Sequence, residues 1–326
     1  MVKPKLLYIG TFTGNWVSDQ FRETGFKRHF DVRIFDYRAY SKTDYMNMNN
    51  ELFKAVYEFG PDLIFVNKGE VISPMIIKRV KSIFPNCKVF IFNGDQRGRI
   101  QDETVRLGSV SDAILINNNH DEQWSQYYDA GVKKIYEYHT ATDANTFKNV
   151  KVDKKFDVVF AGGHYGTRFP LSKFRHQCLV GLSKNFKLGI AGGRNWTSFS
   201  GMEYVGPKYR GSLTGFLNSG RCILGINAFN DIKNYTSNRT WVSMSTGVPY
   251  VCHTYAGINN FFKHKQNILV FKTVDQCIET VRWVLKNQPE ARKIGMAGRT
   301  LVKSKHSYYN RSEQLLEIWK EVKDEA

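Results

Sequence analysis

Two α/β domains, each a doubly wound parallel sheet, with a cleft between the carboxyl edges of their strands, is the fold that this sequence predicts. Three observations carry that reading. KLLYIG, DVRIFDY, DLIFVNKG, KVFIFNG and DAILINN are compact apolar runs of strand length, rich in Ile, Val, Leu and Phe. Continuous rather than alternating apolar character marks strands covered on both faces, as in parallel sheets. Between them lie amphipathic stretches such as NELFKAVYEFG and SPMIIKRVKSIF, whose apolar residues recur at helical spacing. The alternation then restarts after HTATDANTFKNVKVDKK (139–155), which is polar and aperiodic and reads as a linker.

The second half runs DVVFAGG, a helix from about Leu171 to Leu182, FKLGIAGG, CILGIN, a helix near Arg239, PYVCHT and NILVF, then two helices to the end. The expected division is 1–145, 146–306 and a terminal helix at 307–326. That helix, SEQLLEIWKEVKDEA, has apolar residues at 315, 316, 318, 319 and 322 on one face. Doubly wound sheets bind ligands outside the carboxyl ends of their strands.

Composition narrows the class. The 42% hydrophobic and 24% charged content of the 326 residues is globular. No apolar run reaches the roughly 18–20 residues needed to span a bilayer, and MVKPKLLYIGTF lacks the long apolar core of a signal peptide. Five scattered cysteines (Cys87, Cys178, Cys222, Cys252, Cys277) without a C-x-x-C pair argue for a reducing cytoplasm and against zinc or a disulfide framework. The net charge is +17, and residues 151–326 carry 27 basic against 12 acidic side chains. Such a surplus points to a polyanionic partner, or simply to a solubilising surface.

Several strands end in glycine: YIGTFTG, FNGDQRG, VFAGGHYGTR, GIAGGRNW. None is followed by GK[ST], and none reads G-x-G-x-x-G with an acidic residue some 20 positions on, which disfavours an ATPase and a nicotinamide enzyme. In AGGHYGTRFP, Gly162, Gly163, His164, Tyr165 and Arg168 combine a glycine turn with a cation where a helix should begin, an arrangement suited to a diphosphate. A surface role for Arg168 and a turn role for His164 are the alternatives.

Taken in order, VFAGGHYGTR, AGGRNW, CILGIN, SNRTWVSMSTGVPYV and the run from NILVF to LLEIW make residues 156–320 resemble the GT-B glycosyltransferases. More narrowly they resemble the "glycosyl transferases group 1" branch that includes the CgeB-type spore maturation proteins. The first half resembles that family by layout, through PDLIFVNKG and FNGDQRG.

The resemblance implies an enzyme whose second domain binds a nucleotide-sugar donor, a UDP-sugar in the first instance, without a tightly bound metal. Asn238, Arg239 and Thr240 would meet the donor phosphates and sugar, with Gly162, Gly163, His164, Tyr165, Arg168, Gly192 and Asn227 completing the donor site. One departure stands out. The family usually has a glutamate one position after the aromatic on this helix, whereas Trp241 is followed by Val242. Ribose recognition then comes from elsewhere, or the donor is unusual, or donor chemistry has been lost.

An acceptor hydroxyl needs a base, expected from the first domain. Asp95 at a strand end is the first choice and Asp19 the second, with helix capping as the competing role for Asp95. Arg97 and Arg99 would bind an anionic acceptor, and Thr13, Gly14, Asn15 and Trp16 would form the acceptor-side loop. Interleaved aromatics and cations (HYGTRFPLSKFRH, VGPKYRGS, FFKHKQN) fit a phosphate backbone; together with the resemblance, whose fold phage DNA transferases share, this implies a hydroxymethylated base in DNA as the expected acceptor. The alternatives are a lipid-linked or cell-surface glycan at an anionic membrane, and a non-catalytic nucleic-acid binder on a retired fold.

Overall fold

The computed structural model describes residues 2–13, 18–40, 43–95, 97–193, 196 and 200–325. They form two compact units, one of Met1–Thr140 with Tyr308–Ala326 and one of Ala141–Ser307.

The first unit begins β1 (Lys5–Gly10), α1 (Ser18–Phe26), β2 (Asp31–Asp36), α2 (Tyr45–Phe59), β3 (Leu63–Asn67) and α3 (Pro74–Ile83). It continues β4 (Lys88–Asn93), α4 (Asp102–Gly108), β5 (Ala113–Ile116), α5 (Asp121–Asp129) and β6 (Ile135–Glu137). The six strands are parallel in the order β2-β1-β3-β4-β5-β6. Side chains alternate across a strand, and here the alternation sorts them into two chemically different cores. Leu7, Ile9, Ile64, Val66, Val89 and Ile91 face an aliphatic core with α2, α3, α4 and α5. Leu6, Tyr8, Phe65, Phe90 and Phe92 face an aromatic core.

The second unit runs β7 (Phe156–Ala161), α6 (Ser172–Ser183), β8 (Leu188–Ala191), β9 (Glu203–Tyr204), α7 (Arg210–Asn218), β10 (Gly220–Gly225) and α8 (Asn238–Ser245). Then come β11 (Tyr250–His253), β12 (Leu269–Phe271), α9 (Val274–Lys286) and α10 (Gln288–Lys305). Its sheet is parallel in the order β12-β11-β10-β7-β8-β9. The chain moves outward from β7 in one direction and then returns to β10 to move in the other. The switch point therefore falls between β7 and β10.

The last helix, α11 (Tyr308–Asp324), packs on the first unit's aromatic face. In the described residues that face is otherwise covered by Phe26 and Phe30 around α1, so Leu315, Ile318, Trp319 and Val322 of α11 complete it. Each such burial stabilises by about 1.5–3 kcal/mol. The two helices touch backbone to backbone, because a Cβ at Gly25 would lie 2.5 Å from the Tyr308 carbonyl oxygen.

Three features differ from the sequence reading. Each sheet has six strands rather than five, the additions being the edge strands IYE and EY, too short to make an apolar run. The expected pair of terminal helices is three, because Pro289 in the first turn of α10 separates it from α9. The helix expected from Leu171 runs Ser172–Ser183.

Gly25→Ala is expected to force α1 and α11 apart and to destabilise the fold by about 1–3 kcal/mol, read from the denaturant midpoint. His253 at the end of β11 packs between Phe174 and Phe271, and burial lowers its pKa. The unfolded chain then binds the proton more readily, so this contribution is intact above about pH 6.5 and declines as pH falls below it. His253→Gln should flatten part of the fall in thermal midpoint between about pH 6.5 and 5.

Candidate functional site

At the switch point β7 leaves the sheet through Gly162, Gly163 and His164, and β10 leaves through Ile226 and Asn227. Arg239, in the first turn of α8, reaches back to both strand ends. Its Nε donates to the Ala161 carbonyl and its Nη1 to the Ile226 carbonyl at 3.0 Å, over the face of Phe160. Gly162 lies directly against it: a Cβ there would sit 2.5 Å from Arg239 Nη2. The Gly162 carbonyl accepts from Trp196 Nε1 at 2.8 Å, and the Gly192 carbonyl accepts from Tyr204 Oη at 3.0 Å, so the two glycine turns are fixed by aromatic side chains.

The start of α8 is built from its neighbours. Asn227 is buried; its Oδ1 accepts from Ser237 N at 3.4 Å and its Nδ2 donates to the Tyr235 carbonyl. Thr240 is buried and its hydroxyl meets Tyr250 Oη at 3.2 Å, which ties the helix to β11. Among the described residues, Ser237 Oγ and Asn238 Oδ1 are buried atoms without a hydrogen-bond partner. The first turn of α8 has no acidic residue, and Val242 is buried in that helix.

A second cation enters from α6. Arg175 is 3% exposed, and its Nη2 donates to the Ile226 and Asn227 carbonyls at 3.0 and 3.2 Å while Nη1 donates to Gly163 O at 3.2 Å. Burial and the neighbouring Arg239 guanidinium push it down to about 9. Tyr165 covers this group, its ring 5.1 Å from the Arg175 guanidinium. Sequence reasoning missed Arg175, although its signal is legible: it lies on the buried stripe of α6 with Ser172, Cys178, Leu179 and Leu182, where a cation needs a reason.

Of the donor residues expected from the sequence, Gly162, Gly163, Asn227, Arg239 and Thr240 gather around the switch point. Asn238 stands in the same helical turn. His164 packs edge-on against Trp196, and burial, then His176 and Arg175, lower its pKa. Arg168 is set apart: it is exposed, lies over Phe169 and precedes the start of α6 by four residues.

The first unit's carboxyl edge is organised differently, by carboxylates. Asp19 is 3% exposed and accepts from Tyr8 Oη (2.6 Å), Arg22 Nη1 (2.7 Å), Asn67 Nδ2 (2.7 Å) and Thr11 N (2.8 Å). Three of these donors meet Oδ1 and one meets Oδ2, so Asp19 ties β1, α1 and β3 together at this edge. Asp36 Oδ2 accepts from Phe12 N and Thr13 N, so the N–H groups of that turn already serve a carboxylate. Gly14, Asn15 and Trp16 lie outside the described residues.

Asp95 is exposed, its Oδ2 2.6 Å from Lys68 Nζ, its N–H on Asn93 and its carbonyl accepting from Gln101. It borders an open depression lined also by Arg99, Asn118 and Tyr127. Arg97 contributes its carbonyl to Gln123. The sequence reading assigned no role to Lys68, which has a left-handed backbone (φ 69°), or to Glu70, which holds Tyr37 and Arg38. Among the described residues no cluster of three or more His, Cys, Asp or Glu is placed to hold a metal, and no helix is long and apolar enough to cross a membrane.

Residues 174–317 match a family model described as glycosyl transferase-like. No curated protein matches the chain in sequence. Among solved structures it is similar to sucrose-phosphate synthase from Thermosynechococcus elongatus, with TM-score 0.69, 9% identity, and coverage of 99% of this chain and 100% of that one. It is also similar to Anabaena HepE in complex with UDP-glucose, with TM-score 0.66, 9% identity, and coverage of 98% and 100%. A glycosyltransferase from Rickettsia africae gives TM-score 0.66, 12% identity, and coverage of 98% of each chain. The fold is therefore that of the GT-B glycosyltransferases, and the family match falls on the second unit and the start of α11.

Gly162→Ala should displace the Arg239 guanidinium from the switch point and cost about 1–3 kcal/mol of stability, visible as a lowered thermal midpoint and an altered Arg239 position in the variant's crystal structure.

Proposed function

We propose that the protein transfers a sugar from a nucleoside diphosphate sugar, held at the switch point of the second unit, to the hydroxyl of a hydroxymethylated base in DNA. The observation that carries the donor half is Arg239, a guanidinium in the first turn of α8 reaching the carboxyl ends of both β7 and β10. Transfer breaks the bond between the sugar's anomeric carbon and the diphosphate oxygen, and negative charge accumulates on the leaving group. A preorganised guanidinium and the positive end of a helix stabilise that charge without reorganising during the reaction. Support also comes from the UDP-glucose bound by the structurally similar HepE.

Asp95 is the candidate acceptor of the hydroxyl proton, since one carboxylate oxygen is held by Lys68 and the residue is exposed. Arg99 beside it would meet an anionic part of the acceptor. The charge distribution supports a polyanionic partner. Divided by structural unit, the second unit has 25 Lys+Arg against 8 Asp+Glu, while the first has 22 of each. The whole surplus of +17 thus belongs to the unit that carries Arg239, and cations on such a surface bind a phosphate backbone with strong salt dependence.

UDP, GDP, ADP and CMP are to be compared by thermal unfolding. A ligand at about 100 times its Kd adds roughly 2.7 kcal/mol, a shift of several degrees. One nucleoside diphosphate is expected to give it, and no shift with any of the four would sink the donor assignment. Duplex DNA containing 5-hydroxymethylcytosine, incubated with the matching sugar nucleotide, should then gain one hexose mass per modified base. Release of nucleotide without that mass gain would reject the DNA acceptor and leave the transferase reading standing.

A further inference from the structure

The second unit's positive surplus gathers in part along α10. That helix carries five basic residues, Arg292, Lys293, Arg299, Lys303 and Lys305, against one acidic residue, Glu290 in its first turn. Ala291, Ile294, Gly295, Gly298 and Val302 are its buried side. Arg292, Met296, Arg299 and Lys303, spaced by four, three and four residues, form a separate stripe. Two glycines press the helix onto backbone: a Cβ at Gly295 would lie 2.4 Å from the Gly247 carbonyl oxygen, and one at Gly298 2.5 Å from that of Asn267. Gly247 and Asn267 stand just ahead of β11 and β12, so α10 crosses the amino ends of those strands.

Further cations extend this ridge. Lys154, just ahead of β7, donates to the Asn218 and Gly220 carbonyls at 2.7 and 2.8 Å, and burial, then Arg221 and Arg292, lower its pKa. Beside Gly298, the turn 263–267 is closed by Lys263 N–H on Asn267 Oδ1 at 2.9 Å and Lys265 N–H on the Ile268 carbonyl at 2.8 Å. It leaves the Lys263 and Lys265 side chains exposed. Among the described residues no ion pair joins a carboxylate to the cations of α10 or of this turn, and Arg221 faces Asp157 at 3.8 Å.

We propose that this ridge, along the amino ends of β10, β11 and β12, binds the phosphodiester backbone of duplex DNA, apart from the crevice at the carboxyl ends. A six-residue strand such as β10 is about 20 Å long, which separates the two sites. The ridge therefore tethers DNA without reading sequence or base modification, and does so whether or not a base is the acceptor. Backbone contacts of this kind need cations at fixed positions and no base readout. An anionic bilayer also offers negative charge, but interfacial binding buries large apolar side chains as well. Among the described residues of α10, Met296 is the one large apolar side chain that is exposed.

The test is binding of a short unmodified duplex to the full chain, by fluorescence anisotropy across a series of salt concentrations. Each phosphate contact contributes about 0.9 to the slope of log K against log salt. Arg292→Gln, Lys293→Gln and Lys303→Gln combined should reduce that slope by about 2.7 and weaken binding at least about tenfold. Lys173→Gln, Lys184→Gln and Lys208→Gln combined remove the same charge from around α6 and the loop before α7, and should change the slope by less than about 1. Gln has nearly the helix propensity of Lys and Arg, and an unchanged thermal midpoint checks folding. Equal losses in the two triple variants would assign the effect to net charge and overturn the proposal. So would a wild type that ignores the duplex at low salt. A ridge variant that loses binding to vesicles of phosphatidylcholine and phosphatidylserine, yet keeps binding DNA, would make the surface a lipid face and also overturn it. Should the ridge variant not fold, lysine acetylation of the wild type decides. DNA should protect Lys263, Lys265, Lys293 and Lys303 but not Lys173 and Lys184, and ridge lysines that stay reactive would refute the tether. The assay contains neither sugar nucleotide nor modified base, so its failure leaves the transferase reading untouched.

Discussion

The carbonyl oxygen of Ile226 receives N–H groups from two arginines, and much of the second unit is arranged around that contact. Carbonyls at the carboxyl ends of parallel strands are left without ladder partners where the strand order reverses, and they must be satisfied by something. Here Arg239 from the start of α8 and Arg175 from α6 supply the donors. The same two side chains that close the backbone hydrogen bonding of β7 and β10 also place positive charge at the crevice. Gly162 is constrained by Arg239 Nη2 against its Cα, and Trp196 by the Gly162 carbonyl.

The first unit solves its carboxyl edge with the opposite charge. Asp19 and Asp36 collect the N–H groups of Thr11, Phe12 and Thr13, while Asn67 and Lys68, at and just beyond the end of β3, reach Asp19 and Asp95. A loop whose N–H groups already serve carboxylates is a poor cradle for phosphate, whereas among the described residues the ends of β7 and β10 in the second unit meet arginines and no carboxylate. That contrast, more than the net charge, distinguishes the chemistry of the two strand edges. The balance of 22 basic and 22 acidic residues in the first unit agrees with it.

Much of this was legible in the chain. Central strands covered on both faces print continuous apolar runs, so most of the ten principal strands and the parallel architecture could be read directly. Strands IYE and EY, of three and two residues, are too short to print such a run and were invisible. Arg239 was legible because its helix start is polar and followed by small residues pressed against the sheet. Asp19 was legible as a carboxylate near a strand end, but its burial beside Tyr8, Arg22 and Asn67 was not, because those neighbours are brought together by the fold.

The sequence by itself determined the layer architecture, the glycine turns at the strand ends and the cation in the first turn of α8, because each is written in local periodicity or composition. The tertiary structure alone decided that Arg175 shares a carbonyl with a residue 64 positions away, that α11 closes the aromatic face of a sheet formed some 170 residues earlier, and that the whole positive surplus lies in one unit. These depend on which side chains of distant segments occupy the same volume. Backbone hydrogen bonding and packing fix that juxtaposition, and no local stretch of sequence records it.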